Sequence, residues 1–238
     1  MADRLARGRR RTIRALVALA VVVALVVAGV GVGNDYGRRY VENKAAEAIL
    51  DRAGLVSDVR ITDRVFVVSL LRQHFDHVTI TFPAMPITAG NTSLTPKVDV
   101  ALDDVVAMDG FTRFVAGRAT ADAALTWSQV STLAGYTVTP DGTGIAVDLT
   151  YTLYGIKLAA TVTATPAIAS GQLVLRNTAL KVIGVDVPKS ITDYLLASVT
   201  APIDLGLPAP LTATSLKVQP DGLVITAEGT DVDVTALG

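Results

Sequence analysis

The sequence predicts an α+β protein: one apolar helix that crosses a membrane, then a strand-rich exported domain that begins with a helix. Three observations predict it. Six arginines precede an uncharged run from Ala15 to Asn34. Residues Asp35 to Ala53 are rich in Ala, Glu, Lys and Arg and hold no proline. From Val59 onward apolar and polar residues alternate with a period of two, punctuated by turn-forming pairs.

The N-terminal element rests on length and flanking charge. Arg4, Arg7, Arg9, Arg10, Arg11 and Arg14 stand against a single acid, Asp3, and Leu16 to Val32 is almost wholly Ala, Val, Leu and Gly. A helix over that run would span roughly 30 Å, the thickness of the bilayer hydrocarbon. Positive flanks stay on the cytoplasmic side, so the chain after the run is expected outside the cell membrane, held by a single pass. The expected division is a basic cytoplasmic start at 1–14, a transmembrane helix or uncleaved signal anchor at 15–34, and an exported domain at 35–238. A cleaved signal peptide fits the same arginines, and Ala28, Gly29, Gly31 and Gly33 offer small residues for cleavage. The length of the run favours the anchor. Gly29 and Gly33 form a GxxxG spacing that pairs helices in membranes, but in so small-residue-rich a stretch chance explains it.

The next element is the helix Asp35 to Ala53. Tyr36, Tyr40, Ala45, Ala48 and Ile49 fall near one face, and Gly54 stands where a helix would stop. The strands follow. Val59 and Ile61 alternate with Arg60 and Thr62; Val78, Ile80 and Phe82 with Thr79 and Thr81; Val98, Val100 and Leu102 with Asp99 and Asp103. Ala119, Ala121, Ala123 and Leu125 make another run, Ile145 through Leu153 the clearest one, and Leu158, Ala160, Val162 and Ala164 the next. One wet face and one dry face is the mark of antiparallel sheets. Asp141-Gly142, Ser170-Gly171 and Asp221-Gly222 read as hairpin turns, so successive strands form a meander. Further helices are expected at Val65 to Phe75, Trp127 to Ala134 and Val187 to Val199.

Composition excludes several functions. The chain has no cysteine, hence no disulfide, thiolate metal site or cysteine nucleophile. From Asp35 onward 15 Lys/Arg face 21 Asp/Glu, a net charge of −6, which is the wrong sign for a nucleic-acid surface. No GxSxG, HExxH or Walker loop occurs. His74 and His77 could share a helical face and hold a metal, but two ordinary surface histidines explain them better. Asp103 and Asp104 are adjacent on a strand and would point to opposite faces, a poor acid/base pair. Asn91-Thr92-Ser93 matches a glycosylation sequon by pattern only.

The apolar inventory is more informative. A curved sheet wrapped about a long helix either closes on its own side chains or leaves an apolar slot. Small inward residues (Ala119, Ala121, Ala123, Ala160, Ala164) leave room that a helix or a lipid chain must fill. The segment Asp58 to Val78 gathers Val65, Phe66, Val67, Val68, Leu70 and Leu71 between Arg60, Arg64 and Arg72. Apolar residues bracketed by guanidinium groups suit a membrane interface, though from composition alone a core helix with ordinary surface arginines fits slightly better.

The order of these parts resembles the LmeA family of phospholipid-binding envelope proteins of actinobacteria, formerly the DUF2993 family. The resemblance runs from the arginine-rich start and apolar span through the helix Asp35 to Ala53. It continues through Val59-Arg60-Ile61, Phe66-Val67-Val68-Ser69-Leu70-Leu71 and Val78-Thr79-Ile80, and ends in Leu207-Pro208 and the hairpin Leu216 to Ile225. Where family members often carry a glycine after the Leu-Leu pair, this chain reads Arg72-Gln73-His74-Phe75. The resemblance implies a tubular lipid-binding (BPI-like) fold, with a curved antiparallel β-sheet wrapped around a long helix. It also implies binding of anionic phospholipid, with phosphatidylinositol a candidate, and a supporting role in envelope lipid or lipoglycan maintenance. No cofactor or metal and no catalytic residue is expected.

On that expectation Val147, Leu149, Tyr151, Leu158, Val162 and Leu173 line the slot. Phe66, Leu70, Leu71 and Phe75 form its mouth, and Arg60, Arg64 and Arg72 meet the head group. Two rivals stand beside it: a non-catalytic envelope scaffold with a fully packed core and protein partners, and an enzyme acting on a lipid or glycan.

Overall fold

A computed structural model describes residues 34–63, 66–89, 92–109, 113–153, 156–182 and 202–234. Of these about 62% are strand, in antiparallel sheets that curl into a half barrel. The apolar run 15–33 and the expected helix Val187 to Val199 lie outside the described residues. Among the described residues no helix is long and apolar enough to cross a membrane.

The first helix, α1 (Asn34–Ala53), buries Val41, Ala45 and Ile49 and turns Tyr36, Tyr40 and Leu50 outward. Of the face expected from the sequence, then, only Ala45 and Ile49 are seen to pack; Tyr36 and Tyr40 lie opposite them. Gly54 ends the helix at φ +68, its N–H bonded to the carbonyl of Leu50 at 2.8 Å. The chain then doubles back. Strand β1 (Asp58–Ile61) runs antiparallel to α1: Glu42 accepts from the Ile61 amide at 2.8 Å, and Arg38 donates to the Asp63 carbonyl at 2.5 Å.

A short helix, α2 (Phe66–Arg72), follows, and β2 (His74–Phe82) starts two residues later. The sequence reading extended this helix to Phe75 and placed both histidines at its end. It stops earlier because Gln73 takes a left-handed φ of 55° and its carbonyl accepts from the Ala107 amide at 2.8 Å. Phe75, His74 and His77 are therefore strand residues.

The small hairpin β3 (Ile87–Ala89) and β4 (Thr92–Leu94) leads into β5 (Lys97–Met108) and β6 (Arg113–Thr126). Helix α3 (Trp127–Ala134) matches its expected span, with a capping box between Thr126 and Gln129 and a left-handed Gly135 at its end. Strands β7 (Thr137–Asp141), β8 (Gly144–Leu153), β9 (Ile156–Ala169) and β10 (Gln172–Val182) form the expected meander. After β11 (Ile203–Asp204) come β12 (Thr212–Gln219) and β13 (Gly222–Asp233). Gly222 opens β13 rather than making the turn: a Cβ there would lie 1.9 Å from the carbonyl oxygen of Leu125.

Two main sheets result, in the orders β1-β2-β5-β6-β13-β12 and β11-β10-β9-β8-β7. The larger sheet bends along one row. Between Phe75 and Val78, Leu102 and Val105, Ala116 and Ala119, and Gly229 and Val232, two non-buried residues stand where alternation allows one. The register aligns these breaks on four neighbouring strands, with Asp76, Asp104, Gly117 and Asp231 side by side. Asp104 and Asp231 have φ of 52° and 51°, a region Asp tolerates better than most residues. Adding a Cβ to Gly117 would put it 3.1 Å from that of Asp104. Asp104 thus sits at a kink, not in a regular strand as its neighbour Asp103 suggested.

Candidate lipid-binding site

The kink has a direct consequence for the interior. Because the alternation reverses, Phe75 and Val78 both face inward, as do Leu102 and Val105, at a spacing that a regular strand sends to opposite faces. Above them lies α1. Between helix and sheet is a cavity of about 30 Å³ lined by Val41 and Ala45 of α1, Val59 and Ile61 of β1, and the four kink-flanking residues. Phe114 of β6 and Val234, just past β13, complete it. Every lining residue is apolar, so the space has no hydrogen bond to offer water.

The size decides what the cavity can do as it stands. Thirty cubic ångströms holds about two waters, whereas small-molecule sites run to about 300–1,000 Å³. It is a narrow seam between the helix and the sheet rather than a roomy pocket.

The expected mouth residues divide. Phe66, Leu70 and Phe75 belong to the core beneath α1, with the Phe66 and Phe75 rings 6.3 Å apart. Leu71 is on the outer face of α2 and is exposed. The expected lining residues Val147, Leu149 and Val162 belong to a second core, between the smaller sheet, α3 and the β6–β13–β12 end of the larger sheet. Tyr151 and Leu158 pair across β8 and β9, and their side chains lie outside the described residues. Leu173 is half-buried at the β10 edge, opposite Ile203 of β11. The structure therefore does not bring mouth and lining into one slot. Ile87 of the β3–β4 hairpin and Ala123 of β6 pack against both cores.

Of the expected head-group residues, Arg60 is exposed and bonded to Asp58 at 3.0 Å, Arg72 is exposed at the end of α2, and Arg64 lies outside the described residues. Asp63, almost fully buried, ties the segment before α2 to the start of β2: its Oδ1 accepts from the Asp76 amide at 2.9 Å and the His77 amide at 3.3 Å. His77 Nδ1 lies 2.5 Å from Asp103, and His74 lies 3.7 Å from Asp104. Among the described residues no group of three or more His, Cys, Asp or Glu could hold a metal ion.

Of the ten lining residues sequence reasoning placed only Phe75 in the site; Val41, Leu102, Val105, Phe114 and Val234 are among those it missed. A signal existed: the period of two slips by one residue at Asp103-Asp104 and again between Ala116 and Ala119.

The site is a wholly apolar seam beneath a helix laid on a curled antiparallel sheet. The chain belongs to the LmeA-like phospholipid-binding family, whose model matches residues 32–228, and binding phospholipid is the activity that membership gives it. No curated protein and no solved structure matched the chain.

Proposed function

We propose that the chain binds an anionic phospholipid, phosphatidylinositol foremost, by taking acyl chain into the seam between α1 and the larger sheet. The observation that carries this reading is the apolar lining on both sides of the seam, contributed by α1 on one side and the larger sheet on the other. Lifting α1 breaks side-chain contacts and the Arg38 and Glu42 hydrogen bonds but no strand pairing. Gly54, at positive φ with open space around it, is the natural hinge. Each acyl CH₂ buried contributes about 0.8 kcal/mol, so a modest opening gives useful affinity. Arg72, with Arg60 and Arg64 nearby in sequence, would meet the phosphate.

The chain acts as a binder rather than a catalyst, tethered through residues 15–34 at the outer face of the cell membrane, where it supports envelope lipid or lipoglycan maintenance. The test is native mass spectrometry with lipid extraction on the full chain, before and after incubation with phosphatidylinositol. Lipid at fixed stoichiometry, lost in Ala45→Phe, supports the reading. An apo mass under both conditions favours the alternative suggested by the small cavity, a packed envelope scaffold with protein partners.

A further inference from the structure

The outer surface of α2 poses a separate question. Val68 and Leu71 are exposed, Leu71 to 81%, on the side of α2 opposite the buried Phe66 and Leu70. A seven-residue helix that turns two large apolar side chains to solvent is covered by something or placed at an apolar phase.

Geometry indicates which. Because β1 runs antiparallel to α1, the Arg38–Asp63 hydrogen bond puts the chain just before α2 beside the first turns of α1. Those turns carry Tyr36, 81% exposed, and exposed Tyr40. They are also where the uncharged run Ala15–Asn34 enters the folded domain. Tyrosine is the residue favoured where a protein meets the bilayer interface. Exposed Arg39 and Arg72 add positive charge at this end. The far end of α1 also shows apolar side chains, Leu50 and Val56, but there the exposed charged neighbours include Asp51 and the mutually neutralising Asp58–Arg60 pair.

We infer that α2 and the first two turns of α1 form a bilayer-docking face, with Val68, Leu71, Tyr36 and Tyr40 entering the interface and Arg39 and Arg72 meeting lipid phosphates. The inference rests on the proposed membrane tether. It gives that tether a function beyond attachment: it sets α2, whose Phe66 ring lies 6.3 Å from that of the seam-lining Phe75, against the lipid supply.

The absence of cysteine makes the test clean, since one introduced thiol is the only label site. The full chain is made with Leu71→Cys, Tyr36→Cys or Val56→Cys, spin-labelled, and reconstituted into phosphatidylcholine vesicles containing phosphatidylglycerol. Labels at 71 and 36 are expected to lose several-fold accessibility to a water-soluble relaxant and gain it to a lipid-soluble one. The label at 56, on an apolar residue that is itself 66% exposed, stays in water. Vesicle-bound protein whose label at 71 is as wet as that at 56 overturns the docking face and leaves the tether standing. Protein that fails to float with vesicles overturns both. Lipid stoichiometry on the same labelled proteins reads the seam independently, so its loss with docking intact would count against the proposed binding site alone.

Discussion

The core beneath α1 holds Phe66, Phe75, Phe82 and Phe114 under a helix, whereas the core of the smaller sheet holds no phenylalanine among its described residues and is closed largely by another sheet. The second is made of Ile145, Val147, Leu149 and Val162 against Leu125 and Leu223, with α3 capping one side through Val130. The difference is mechanical as much as chemical. A helix satisfies its own backbone hydrogen bonds, so it can move off a sheet and lose only side-chain contacts. Opening the second core means separating two curved sheets whose strands run on beyond it. On the proposed reading the first core admits the ligand and the second holds the shape.

The comparison can be broken most forcefully in the second core. Leu149→Arg buries an unpaired charge, and the expected result is loss of cooperative thermal unfolding by circular dichroism, not a selective loss of lipid. Next in size is Phe66→Ala, expected to cost about 3–5 kcal/mol in a urea titration, because a fully buried ring leaves a cavity. If that variant were unfolded no more easily than the wild type, α2 would not be part of the first core.

Ala45→Phe sharpens the contrast. Overpacking is expected to cost about 1–3 kcal/mol while removing most co-purifying lipid, whereas Leu149→Ala, at about 2–5 kcal/mol, keeps its lipid. Equal lipid loss in both would mean that occupancy simply follows stability. The smallest effect is on the outer face of the larger sheet. Burial raises the Asp99 carboxyl, but hydrogen bonds from Lys97 and from Thr81, at 2.7 Å each, outweigh it and hold the group below its ordinary value. Its stabilising contribution is therefore present above the ordinary carboxylate range and lost as pH falls through the lowered value. Asp99→Asn should lose that acid-limb dependence with little change at neutral pH, read from unfolding curves at several pH values.

The strands were legible because their signal is local. Val147 and Leu149 alternate with Asp148 and Thr150 and are buried, and Ala160, Val162 and Ala164 alternate with Thr161 and Thr163 and are buried too. The Asp141-Gly142 hairpin, the capped helix at Trp127 and the end of α1 at Gly54 were legible for the same reason, since each is fixed by residues a few positions apart. The face of α1 was not. Tyr36 and Tyr40 lie on the same helix as Val41, Ala45 and Ile49, and short-range pattern could not say which stripe the sheet would take.

What the sequence by itself determined is the strand content, the hairpin order, the charge asymmetry and the family. All follow from periodicity, turn chemistry and the succession of segments. What only the tertiary structure decided is where those strands bend and which ends they bring together. The row Asp76–Asp104–Gly117–Asp231 is scattered over 156 positions of sequence and becomes a kink only when the register aligns it. That kink turns Phe75 with Val78, and Leu102 with Val105, toward α1 to make the seam. It is a property of pairing between distant strands, and a one-residue change of register would send those side chains to the other face of the sheet.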